Sequence, residues 1–86
     1  MFVIKLIKKQ LFYHSVKNDL EACILCVEDY LAYGKHPNTF EIHRASKDHY
    51  ANMVRCLDVA IKQSTRPKEA EGFEILKNRY AALIEC

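Results

Sequence analysis

Only two glycines and two prolines occur in the 86 residues, and that scarcity excludes several kinds of chemistry. A phosphate-cradling loop or a dinucleotide fingerprint needs clustered glycines, and none are clustered here. The GxSxG, HExxH and EF-hand patterns are missing as well. No apolar run approaches the roughly 18 residues that mark a membrane-spanning helix. The opening MFVIKLIKK sets its lysines inside the apolar stretch, and no small-residue cleavage site follows, so it does not read as a secretion signal. Cys86 is the last residue rather than the fourth from last, which excludes a prenylation box. A strong excess of one charge is also lacking: 13 Lys and Arg stand against 11 Asp and Glu, a net charge of +2. Proteins that live on phosphate backbones usually carry a larger basic surplus. The expectation is a cytoplasmic protein whose four cysteines are reduced.

What is present is core-forming material. Half of the residues are apolar, and with so few loop formers this argues for a folded chain rather than a disordered one. Residues 1–86 read as a single compact domain. At this length folding buries roughly 60–65% of the surface of the extended chain, so association with a second copy would supplement a small core.

The best-specified stretch is Asn18 to Gly34. Val16, Leu20, Cys23, Ile24, Val27, Tyr30 and Leu31 follow the i, i+3, i+4, i+7 rhythm of a buried helical stripe. Asn18 is a candidate N-cap, Asp19 and Glu21 put negative charge on the first turn, and Gly34 suits the position after the last turn. Before this helix, residues 2–7 are apolar on both faces and β-branched, which predicts a buried strand. Leu11-Phe12-Tyr13-His14 is read as a second, returning strand. The competing pattern is one long helix, because Phe2, Leu6, Tyr13 and Val16 extend the same 3–4 spacing. After a loop at residues 34–38, Thr39-Phe40-Glu41-Ile42-His43 alternates apolar and polar, as a half-buried strand does. Ser46 is placed to cap a helix running to about Gln63, with Tyr50, Met53, Val54, Leu57 and Ile61 inward. Pro67 suits the first turn of a third helix, with Phe73, Leu76, Tyr80, Leu83 and Ile84 on its apolar stripe. Gly72 interrupts it at about 1 kcal/mol relative to Ala. The predicted fold is α+β and helix-dominated, a two- or three-stranded antiparallel sheet with three helices. The alternative is an all-α bundle of three or four helices.

Cys23-x-x-Cys26 has redox spacing, but a reactive cysteine of that kind sits at a helix N-terminus, where exposed amides lower its pKa. Here the pair lies inside the helix among Ala22, Ile24, Leu25 and Val27, so core packing is expected. Cys23, Cys26 and Cys56 are weak zinc candidates, because a second closely spaced Cys or His pair is missing. The densest basic segment contains His43, Arg44, Lys47 and His49, with Asn52 and Arg55 on the helix that follows. Asp48 within it weakens the case for anion binding. Tyr30, Tyr50, Phe73 and Tyr80 fall on the buried stripes, whereas Phe12, Tyr13 and Tyr33 are expected to be exposed. The neighbouring carboxylates Glu28/Asp29 and Glu69/Glu71 are placed on exposed faces.

A surplus of apolar and aromatic residues without any chemical constellation points to a non-catalytic protein–protein interaction module. A small accessory, adaptor or inhibitor protein of phage or bacterial type fits the length and composition. The expected contact face is Phe73, Leu76, Tyr80 and Leu83, presented to another protein or to a second copy in a homodimer. No cofactor is called for. The alternative is a small nucleic-acid-binding regulator whose Asn52 and Arg55 read bases, with His43, Arg44, Lys47 and His49 beside them. A small ribonuclease is the enzymatic version of that alternative, with His43 as acid or base and an arginine on the phosphate.

Overall fold

The computed structural model describes residues 13–86. Three α-helices carry this part of the chain: α1 (Tyr13–Tyr33), α2 (Lys47–Gln63) and α3 (Pro67–Ile84). A 3₁₀ turn at Pro37–Thr39 and an irregular strap over residues 40–46 join α1 to α2. No strand occurs among the described residues, so the α+β expectation gives way to an all-α arrangement. The strand predicted at residues 2–7 lies outside the described residues.

Three further expectations, at Tyr13-His14, Asn18 and Thr39–His43, fail for physical reasons. Tyr13 and His14 are helical, because Tyr13 continues the buried stripe of Val16 and Leu20 and is itself buried rather than exposed. That same packing makes Asn18 an interior helical residue. Burial of an apolar face outweighs the local preference of Asn for a cap. The alternation at Thr39–His43 is real, and Phe40 and Ile42 do pack against the core. Their carbonyls and amides, however, are not met by a second strand. Arg79 donates to the carbonyls of Pro37 (3.2 Å) and Phe40, the Tyr50 hydroxyl donates to the His43 carbonyl (3.3 Å), and the Ala45 amide donates to Tyr50 (2.8 Å). Alternation here records half-burial of an extended strap, not membership of a sheet.

The helix ends follow local chemistry. Gly34, at φ 73°, sits where only glycine is unstrained, and its amide closes the last turn on the Tyr30 carbonyl at 3.0 Å. Ser46 Oγ accepts from the His49 amide at 3.1 Å, and Asp48 lies in the first turn of α2. Pro67 opens α3.

The short link at residues 64–66 turns α3 back along α2, and these two helices form the most extensive pair. α1 packs across both. The core at their junction contains Leu20, Cys23, Val27, Met53, Leu57, Phe73, Leu76 and Tyr80 among its fully buried side chains. Each fully buried Leu or Phe contributes about 1.5–3 kcal/mol relative to an exposed one, so this junction dominates the stability. Gly72 belongs to it. A Cβ there would lie 3.2 Å from Tyr30 Cδ2 and 3.3 Å from both Val27 methyl carbons, so the missing side chain is what lets α3 approach α1.

Candidate functional site

Three of the four side chains expected to form an outward face on α3 are spent on the core. Phe73, Leu76 and Tyr80 are buried among residues of α1 and α2, which removes them from any contact surface; Leu83 alone is half-exposed. Their 3–4 spacing was legible, but the same spacing describes an inward and an outward stripe equally well.

The basic segment is dispersed in a comparable way. His49 turns inward and pairs with Asp19 of α1 through Nε2 at 2.6 Å, tying the start of α2 to α1. Asn52 accepts from its neighbour Arg55 at 3.1 Å. His43, Arg44 and Lys47 are exposed. The six residues therefore do not share one cationic face.

Arg44 instead joins Leu83. An open groove of about 500 Å³ runs between the strap and the end of α3, lined by Ile42, Arg44, Tyr50, Arg79, Ala82 and Leu83. Its floor is apolar, from Ile42, Leu83 and the Tyr50 ring. Tyr50 is fixed by its two bonds to the strap, and its ring lies 6.0 Å from that of Tyr80. Two guanidinium groups border the groove and no carboxylate does. Arg79 is half-buried, and its partners among the described residues are neutral carbonyl oxygens, which hold the side chain in place without cancelling its charge. Among the described residues Arg44 has no ion-pair partner. A groove of this make-up suits an apolar side chain with a negative charge beside it. Sequence reasoning had named Arg44 and Leu83 for different purposes and missed Ile42, Tyr50 and Arg79; an arginine on an otherwise apolar helix face was the available signal.

A second hollow of about 210 Å³ lies between α1 and the 3₁₀ turn, and includes Leu25, Cys26, Asp29 and Lys35. It carries both charge signs of its own, so it has less to ask of a ligand.

The cysteines do not assemble a reactive centre. Cys23 and Cys56 are fully buried, Cys26 is half-exposed and Cys86 is exposed. Burial pushes the Cys23 thiol up to about 12 and the Cys56 thiol up to about 11, and burial followed by the nearby Asp29 raises Cys26. These shifts oppose thiolate formation, the form that attacks disulfides and binds metals. Among the described residues no three His, Cys, Asp or Glu side chains converge as metal ligands. Glu69 departs from its expected exposure: it is 4% exposed, with Oε2 3.3 Å from Arg66 and Oε1 unpartnered among the described residues. Its companion Glu71 is exposed and accepts the Tyr30 hydroxyl at 2.7 Å, which raises the Tyr30 pKa. No helix among the described residues is long and apolar enough to cross a membrane.

Compared with protein-family models, curated proteins and solved structures, the chain matches none.

Proposed function

We propose that the protein is a non-catalytic interaction module that binds another protein through the groove between the strap and α3. The observation that supports this reading is the pairing of an apolar floor with two guanidinium groups and no acidic lining residue. A surface of that kind leaves exposed apolar area and unneutralised charge, both of which a protein partner satisfies together. Self-association is the simplest form of such binding, and sedimentation of the purified chain separates it from binding to a different protein.

The test is a photo-crosslinking pair in the source cells. A benzophenone side chain is installed at Ala82 in the groove, or at Glu74, an exposed position on α3 outside it. A discrete protein adduct from position 82 that is absent from position 74 supports the reading. Equal adduct patterns from both positions, or adducts to nucleic acid alone, would overturn it. Nucleic-acid adducts would return attention to Arg44 and Lys47 as phosphate contacts.

A further inference from the structure

We infer that the groove recognises an acidic peptide segment in which Asp or Glu stands next to a large aliphatic or aromatic residue. The inference rests on the interaction-module reading and names the partner's chemistry. Charge complementarity carries it: Arg44 and Arg79 flank the groove, no carboxylate lines it, and neither arginine is neutralised by a carboxylate among the described residues. Arg79 makes the stronger case. It is half-buried, and the neutral carbonyls of Pro37 and Phe40 hold its Nη1. A guanidinium has five N–H donors, so Nε and Nη2 remain for a carboxylate. A fixed arginine in partly dehydrated surroundings loses little entropy when a carboxylate arrives, and the resulting bond is charge-assisted.

The apolar half of the recognition comes from Ile42, Leu83 and the Tyr50 ring. A tyrosine held at both sides of its hydroxyl is a rigid contact surface, and rigid aromatic surfaces are favoured at interfaces. The strap also favours an extended segment over a small carboxylate. It enters and leaves with extended dihedrals, at Phe40 (φ −67°, ψ 130°) and Ser46 (φ −73°, ψ 160°). The backbone groups of Glu41, Ile42 and Arg44 bond to no described residue. They remain available to the main chain of an extended guest.

The probes are two fluorescein-labelled pools of short peptides, one with Glu-Leu or Glu-Phe fixed at the centre and one with Lys in place of Glu. Fluorescence anisotropy is read for the full chain, for Arg44→Glu and for Arg44→Lys. Arg44 is exposed, so neither variant disturbs the core. The acidic pool is expected to bind about tenfold more tightly than the lysine pool, the scale of one charge-assisted pair. Arg44→Glu removes one cation and sets a carboxylate in the groove beside Arg79, so it reduces that preference; Arg44→Lys keeps most of it, and added salt reduces it. Equal binding of the two pools, or an unchanged preference in Arg44→Glu, overturns the acidic assignment. If the Ala82 benzophenone still yields its protein adduct, the module reading survives that failure; if the adduct is missing too, both fall. A labelled oligothymidine that binds with the same dependence on Arg44 also overturns the inference, because phosphate rather than peptide carboxylate is then the guest.

Discussion

At Gly72 helix propensity and packing pull in opposite directions. Replacing it with Ala favours the α3 helix by about 1 kcal/mol. The added methyl group would stand 3.2 Å from Tyr30 Cδ2 and 3.3 Å from both methyl carbons of Val27. Rotating Val27 swings one methyl away but leaves the other facing the added carbon, and Tyr30 is held by its bond to Glu71. Overpacking of this kind costs about 1–3 kcal/mol, so Gly72→Ala is expected to be destabilising by about 1 kcal/mol in urea unfolding. Val27→Ala removes both methyls in the way, so the double variant should be more stable than the two single losses predict. A stabilising Gly72→Ala would show that α1 yields easily. From sequence this glycine read as a mild interruption, because a sequence displays the propensity cost and hides the neighbouring helix. The cysteines were more legible: Cys23, set among apolar residues within a helix, is buried as expected, while Cys26 lies at the edge of the same stripe and is only half-covered.

Between helices, the ion pairs add orientation to what apolar burial already secures. Asp58 of α2 lies 3.2 Å from Lys62 one turn on and 3.2 Å from Lys77 of α3, which stitches the principal helix pair along its solvent edge. Hydrogen bonds from Lys62 and then Lys77 hold the Asp58 carboxyl below its ordinary value of 3.8. The unfolded chain therefore takes up this proton at higher pH than the folded one. The stabilisation is complete above the ordinary value and is lost as pH falls through the folded value. Asp58 is 38% exposed, so screening limits the contribution to about 0.5 kcal/mol. Asp58→Asn should lower the urea midpoint slightly at neutral pH, and its difference from the parent should shrink in acid and at high salt. A difference that persists unchanged below about pH 3 would assign the effect to packing instead. Helices and their ends were largely readable: Ser46, Gly34 and Pro67 stand where their backbone chemistry places them. The strap was not, because half-burial of Phe40 and Ile42 produces the alternation of a strand whether or not a second strand exists.

Across the whole described chain, one of the two arginines that border the groove also ties its two sides together. Arg79 reaches from α3 to the carbonyls of Pro37 and Phe40, and so ties the connection between α1 and α2 to the helix pair. The three-helix junction does not need that tie, since its buried side chains meet one another directly. This division explains why the apolar pattern revealed the helices but not the site. The core is written in repeated spacings, whereas the groove depends on contacts of Arg79 and Tyr50 with a loop, which no spacing displays. It follows that Arg79→Met, which keeps the aliphatic stem and removes the donors, should separate strap from core. Each charge-assisted bond to backbone is worth about 1.5–3 kcal/mol, and loss of the two that share Nη1 sets an expected destabilisation of about 3 kcal/mol. Hydrogen exchange should accelerate first at the Thr39 and Phe40 amides, which close the 3₁₀ turn on the His36 and Pro37 carbonyls. The amides of Met53, Leu57 and Leu76, inside the helices, should keep exchanging only at the rate of global unfolding. Uniform acceleration throughout the helices would mean that the strap and the core unfold as one unit, and the groove would then be a rigid part of the fold rather than a surface set by side-chain contacts with a loop.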